Sequence, residues 1–90
     1  MNQEIRNSVI FNLSNIANLE YENKYSLDII REEIIKYNNY IKENIDEVLY
    51  DKLKVEVDTC YYEAEYGDGE YTHLVYYDCV NVLKEVISVL

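Results

Sequence analysis

The 90-residue chain has no proline and no tryptophan, and it contains only two glycines, two cysteines and one histidine. Cys60 and Cys79 are too few for a disulfide framework and are not spaced as a metal-binding pair, so we expect reduced thiols. With one histidine and no Gly-rich phosphate loop, the sequence offers no catalytic residue, no cofactor site and no metal site. These absences predict a protein that is not an enzyme.

Long apolar runs are also missing. No run approaches the roughly 20 residues that cross a bilayer, and the first residues lack the basic and apolar regions of a signal peptide. We therefore expect no membrane association and a cytoplasmic location. Asn, Ile and Tyr are abundant, which is the bias of AT-rich codons and indicates a low-GC bacterium or its phage.

Lysine and arginine are absent between Lys54 and Lys84, and the whole chain carries a formal net charge of -10. Direct nucleic-acid binding is disfavoured because no cation would hold the phosphates. The charge favours basic partners instead, and the commonest basic surfaces in a cell are nucleic-acid-binding clefts. The alternative is that acidity serves only to keep the protein in solution.

The N-terminal half predicts two helices. Apolar residues recur at helical spacing in residues 2–20: Ile5, Val9, Leu13 and Ile16. A second helix is predicted from Leu27, with Ser26 as its N-cap. Asparagine favours turns over helix interiors, so we expect breaks at Asn38 and near Asn44, with residues 46–53 as a short third helix.

From residue 54 the apolar period changes from 3.6 to 2, because Val55 and Val57 alternate with acids. Asp68-Gly69 favours a two-residue type I′ turn and predicts a β-hairpin over residues 55–78. This register places Tyr62, Tyr66, Tyr71 and Tyr77 in the core, together with Cys60, Ala64, His73 and Val75. A three-residue loop would shift one strand and exchange its faces.

A final helix is predicted after Asp78, with a continuing strand as the alternative. Its core face would hold Cys79, Val82, Leu83, Val86, Ile87 and Leu90. The expected fold is a single α+β domain over residues 1–90, with the order α-α-β-β-α.

The solvent face of the hairpin is the candidate partner-binding surface. Tyrosine supplies rigid apolar area with a polar tip, and spaced carboxylates attract arginine and lysine. The predicted binding residues are Tyr61, Glu63, Glu65, Asp68, Glu70 and Tyr76. Two alternatives remain: the tyrosines are packing residues, or the acids of the second helix supply the charge.

A small, strongly acidic, tyrosine-rich domain with an AT-rich composition resembles the phage-encoded inhibitors of bacterial defence, the anti-CRISPR proteins among them. The residues that carry this resemblance are the acids and tyrosines of residues 56–78, and no single residue's role carries over. The resemblance implies a non-enzymatic inhibitor that blocks a CRISPR effector nuclease, for example as a nucleic-acid mimic. The alternatives are a homodimeric assembly module, such as a phage accessory protein or antitoxin, and a small hydrolase using Cys60 or His73.

Overall fold

The protein is described by a computed structural model that covers residues 2–90, with side chains from residue 3 onward. The described residues form five helices and no strand, so the predicted α+β class and its β-hairpin are wrong. The helices are α1 (Asn2–Ala17), α2 (Tyr25–Lys36), α3 (Asn38–Asn44), α4 (Glu47–Tyr66) and α5 (Thr72–Val89).

The two predicted N-terminal helices are confirmed, with corrections at their ends. Val9, Leu13 and Ile16 of α1 are buried, while Ile5 is exposed. The predicted break near Asn38 is confirmed, because α2 ends at Lys36 and α3 begins at Asn38. Ser26 is not an N-cap: it lies inside α2, and its hydroxyl accepts a hydrogen bond from the Glu22 N–H at 3.0 Å.

Helix α4 replaces both the predicted short third helix and the first predicted strand. Asp46 caps it, since its carboxylate accepts a hydrogen bond from the Leu49 N–H at 2.8 Å. The core-facing residues recur at spacings of four, three and four: Leu53, Val57, Cys60 and Ala64. The alternation that predicted a strand lasts only from Val55 to Asp58. In a helix residues two apart point about 200° away from each other, so a buried Val57 and an exposed Val55 fit α4 as well.

A turn occurs at Asp68-Gly69, but it joins two helices, and it is not the predicted type I′ turn, because Gly69 has a positive φ and Asp68 does not. Gly67 ends α4, with its N–H donating to the Glu63 carbonyl at 3.0 Å. Gly69 has a φ of 93°, and the Asp68 carboxylate accepts a hydrogen bond from the Glu70 N–H at 3.0 Å. Helix α5 then begins at Thr72, well before the predicted start after Asp78. Its predicted core face is otherwise confirmed, with Ile87 half-buried and the rest buried.

All five helices contribute to the core, α3 through Ile41, in an elongated molecule of 44 × 24 × 18 Å. The antiparallel pair α4 and α5 makes the most extensive contact; α2 packs on α4, and α1 packs on α5. Helix α3 contacts the start of α4, and on the side of α4 that faces away from α2 and α5 the side chains of Val48, Val55, Tyr62 and Tyr66 are exposed. Within the described part of the chain, no helix combines the length and the apolar character needed to cross a lipid bilayer.

Candidate protein-binding surface

Exposed acids and tyrosines are concentrated at the C-terminal half of α4 and in the link that follows it. We call this surface the acidic tyrosine patch, and its exposed members are Asp58, Tyr61, Tyr62, Glu65, Tyr66, Asp68, Glu70 and Tyr71. A helix turns by about 100° per residue, so the five members on α4 share one side of that helix. The patch therefore lies on the outside of a rigid element, next to a short turn.

Three tyrosines of the patch form a continuous row of rings along α4. The ring centres of Tyr61 and Tyr62 are 6.1 Å apart, and those of Tyr62 and Tyr66 are 5.8 Å apart. Tyr62 is 63% exposed and Tyr66 is 74% exposed. These rings stiffen one another and offer a large surface, as aromatic side chains at protein interfaces do.

The strand register assigned the tyrosines to the wrong sides of the protein. Tyr62, Tyr66, Tyr71 and Tyr77, predicted to be core residues, are exposed, whereas Tyr76, predicted to bind a partner, is only 2% exposed. The physical reason is the period: in a helix Tyr76 falls on the same side as Cys79, Val80 and Leu83, which face the core.

Tyr76 is a structural residue. Its hydroxyl donates a hydrogen bond to the Leu19 carbonyl at 2.6 Å, and its ring centre lies 5.6 Å from that of Tyr21. Burial raises the pKa of Tyr76 above its usual value of 10.0. Tyr76 thus links α5 to the segment between α1 and α2 and does not belong to the surface.

The helix also separates two acids that a strand would place side by side. Glu65 points outward, whereas Glu63, about 200° away around α4, is half-buried against Gly67. Of the six predicted binding residues, Tyr61, Glu65, Asp68 and Glu70 therefore come together in the patch. Glu63 lies at its edge, and Tyr76 lies in the core.

The patch acids have no cationic partner among the described side chains. One ion pair occurs in residues 3–90, between Lys52 and Glu85 at 3.1 Å. Glu63 and Glu65 also occupy the last turn of α4, which has no basic residue. The carbonyl end of a helix carries partial negative charge and disfavours anions. The helix dipole therefore disfavours the negative charge of Glu63 and Glu65, and no ion pair offsets this effect.

Two cationic side chains border the patch, and the sequence did not indicate that they lie there. Lys24 donates a hydrogen bond from Nζ to the Gly67 carbonyl at 3.0 Å. The Arg31 guanidinium lies over the Tyr61 ring, 5.0 Å from its centre. Arg31 lies in α2, and Lys24 immediately precedes it. Only the packing of α2 on α4 brings these two residues to the patch. No local pattern could have shown this proximity.

A second group of acids lies on the other side of α4, where it meets α5. The pKa of Glu56 is raised above its usual 4.5, first because the carboxyl is partly buried and second because Asp78 is close; Lys52 acts in the opposite direction. The outer side of α4 is therefore bordered by carboxylates on both edges.

The thiols and the histidine do not form a common site. Cys60 and Cys79 are fully buried, and the neighbouring Cys60 thiol together with burial raises the pKa of the Cys79 thiol far above its usual range. His73 is exposed at the start of α5, with its ring centre 6.3 Å from that of Tyr21. Among the described residues no group of three or more His, Cys, Asp or Glu side chains could hold a metal ion.

An apolar depression of about 410 Å³ lies between α1 and the junction of α2 and α3. Val9, Tyr37 and Tyr40 contribute to its walls. The Tyr37 hydroxyl accepts a hydrogen bond from the Asn12 amide at 2.8 Å at its border. The depression contains no histidine or cysteine, so the residues that the sequence singled out do not meet there.

The helical pair α4–α5 with its outward carboxylates and tyrosines is thus the distinctive surface of this chain. No protein family, curated protein or solved structure matches the chain.

Proposed function

We propose that this protein is a non-enzymatic inhibitor that binds a basic, nucleic-acid-binding protein through the acidic tyrosine patch. The observation that carries the proposal is the position of Glu65 and its neighbours: exposed carboxylates, without ion pairs, at the negative end of α4. Each acid at such a position destabilises a helix by about 0.3–1 kcal/mol. Arginine or lysine from a partner would neutralise both the carboxylates and the helix end.

The tyrosine row supports the same partner chemistry. Arg31 over Tyr61 shows that a guanidinium fits against these rings. Tyr62 and Tyr66 leave their rings open to solvent, and arginines of a partner would stack there in the same way. Rigid aromatic area beside unpaired carboxylates is typical of a surface that binds arginine-rich protein.

The net charge of -10 decides how such a protein would act. This negative charge repels nucleic acid, and it attracts the basic cleft with which another protein binds nucleic acid. Occupation of that cleft would block the nucleic acid stoichiometrically. We propose CRISPR effector nucleases as the partner class, which is the target that the resemblance to anti-CRISPR proteins implies.

The test is a cleavage assay with a panel of purified CRISPR effector nucleases at increasing concentrations of this protein. Inhibition should be stoichiometric, and it should weaken as salt rises from 50 to 500 mM, roughly as expected for charge-driven binding. The variant Glu65→Lys/Glu70→Lys should lose inhibition, because two of the four carboxylates of the patch are replaced by cations.

The matched control is Glu32→Lys/Glu43→Lys. It makes the same change in net charge at two glutamates that are exposed on α2 and α3, and it should inhibit like the unmodified protein. Equal inhibition by the two double variants would sink the role of the patch. Absence of inhibition across the panel would sink the proposed partner class.

A further inference from the structure

The outer side of α4 carries a straight apolar stripe that extends beyond the acidic tyrosine patch. Its members are Val48, Val55, Tyr62 and Tyr66, and the positions between them on this side of the helix hold Lys52 and Thr59. The four members are 80%, 61%, 63% and 74% exposed. With about 100° of rotation per residue, they lie within about 40° of one another around the helix axis. The stripe is therefore narrow, and its length is about 27 Å at 1.5 Å per residue.

The stripe lies opposite the residues that hold α4 in the core. Leu53, Val57 and Cys60 are buried and point to the other side of the helix. The stripe is thus not a continuation of the core and has no neighbour among α1, α2, α3 and α5. Valines at this exposed position also weaken the helix slightly, because β-branched residues are poor helix formers.

Carboxylates line both edges of the stripe with a regular spacing. Asp51, Asp58 and Glu65 follow one edge at intervals of seven residues, the same interval that separates Val48, Val55 and Tyr62. Glu56 and Glu63 lie toward the other edge, where Asp78 adds charge. A repeat of seven, with apolar residues in the middle and charges at the sides, is the pattern by which helices pair with helices.

We propose that the outer side of α4 is a docking surface for an amphipathic, basic α-helix of the partner. Apolar side chains of that helix would lie along the stripe, and its lysines or arginines would meet the acidic rows. The proposal rests on the proposed function for the basic character of the partner, and it adds the shape of the element that is recognised.

The charges decide against a second copy of this chain as the occupant. In an antiparallel pair the row of Asp51, Asp58 and Glu65 would face its own copy. In a parallel pair it would face the edge that carries Glu56 and Glu63. Like charges would oppose each other in both orientations. Lys52 is already paired with Glu85, and Lys54 alone would not balance the five acids of the two rows.

The test uses a fluorescein-labelled 21-residue peptide built from three repeats of seven residues. Each repeat has two leucines four positions apart, and lysines flank the leucines. Fluorescence anisotropy measures its affinity for the full chain. A second peptide has the same composition in scrambled order, so that its charge is equal but it has no apolar stripe. The ordered peptide should bind at least tenfold more tightly than the scrambled one.

Two variants of the protein locate the site. Val48→Gln/Val55→Gln removes two apolar side chains from the stripe without a change in charge, and it should weaken the ordered peptide at least tenfold. Ile5→Gln/Phe11→Gln removes two exposed apolar side chains from α1 and should leave the affinity unchanged. Both pairs are exposed, so the fold should tolerate either change.

The outcomes separate this inference from the proposed function. Equal binding of both peptides, unaffected by Val48→Gln/Val55→Gln, would overturn helix docking, while the cleavage assay with Glu65→Lys/Glu70→Lys would still decide the proposed function. No binding of either peptide at 50 mM salt would also overturn the docking surface. Sedimentation of the protein alone gives a third outcome: a dimer that Val48→Gln/Val55→Gln dissociates would assign the stripe to a second copy and refute the proposal.

Discussion

Replacing Glu65 by glutamine should make the fold more stable and partner binding weaker. Glutamine has nearly the same shape and helix propensity as glutamate, so the change removes little except the charge. Glu65 lies in the last turn of α4, where an anion destabilises the helix by about 0.3–1 kcal/mol. Lys24 contacts the Gly67 carbonyl and forms no ion pair with Glu65, so neutralisation of Glu65 breaks no such pair.

We expect the free energy of unfolding to rise by about 0.5 kcal/mol, which corresponds to about 2–4 °C in Tm for a domain of this size. Urea titration followed by circular dichroism at 222 nm measures the first quantity, and thermal unfolding measures the second. The gain should shrink in 1 M NaCl, because salt screens the interaction of an exposed charge with the helix end.

Glu47→Gln is the matched control at the other end of the same helix. Glu47 lies in the first turn of α4, where an anion is favourable by about 0.3–1 kcal/mol. Its removal also relieves repulsion from Asp51 one turn later, by about 0.2–0.5 kcal/mol. This variant should lie between about 0.2 kcal/mol more stable and about 0.8 kcal/mol less stable. Equal stabilisation by Glu65→Gln and Glu47→Gln would show that net charge alone matters and would refute the argument from the helix end.

Two further predictions concern the core. Tyr76→Phe should lower the free energy of unfolding by about 1–2 kcal/mol, since the Leu19 carbonyl loses the hydrogen bond donated by the buried Tyr76 hydroxyl. Tyr66→Phe, at an exposed ring, should change it by less than about 0.5 kcal/mol, and similar losses in both variants would contradict the role of Tyr76. The folded-state pKa of Cys79 lies above its ordinary value of 9.0, so the folded protein holds the thiol proton more tightly than the unfolded chain. Stability should therefore be intact below pH 9 and fall as pH rises above it. Urea titrations from pH 8 to 10.5 should show a smaller decline in Cys79→Ala, and an identical decline would refute the contribution of this thiol.

The parts of the fold that could be predicted are those where the apolar period is unambiguous. Val9, Leu13 and Ile16 repeat at helical spacing over several turns, and so do Val82, Leu83 and Val86. The break near Asn38 could be predicted because asparagine side chains compete with the helix for backbone hydrogen bonds. A chain reversal at Asp68-Gly69 could be predicted because Gly69 permits a positive φ, but the type of turn could not.

The hairpin could not be distinguished from a helical pair by local signals. Tyrosine and valine favour strands locally, and a turn with Gly69 suits either kind of connection. What decides is tertiary packing: Leu53, Val57 and Cys60 complete a core with α2 and α5 only if residues 47–66 are helical. The sequence did contain one clue, which is the length of each pattern. The helical spacing of apolar residues runs from Leu53 to Ala64, whereas the strand-like alternation runs only from Val55 to Asp58.

The candidate site was predicted in composition but not in arrangement. Glu65, Asp68 and Glu70 are exposed and adjacent in chain order, so the acidic run was sufficient to find them. Tyr62 and Tyr66 required the helical period. Lys24 and Arg31 required the contact of α2 with α4 and its link, which no stretch of sequence encodes alone.

Helix α4 has two opposite faces whose residues do not overlap, and this has an evolutionary consequence. Substitutions along the outward stripe, for instance at Val55 or Tyr62, leave the contacts of Leu53 and Val57 with the core intact. Exposed positions of this kind usually change stability by no more than about 0.5 kcal/mol, and effects at separated positions add. The outward face can therefore diverge rapidly between related chains, as a binding surface under pressure to follow a changing partner would, while the inward face preserves the fold.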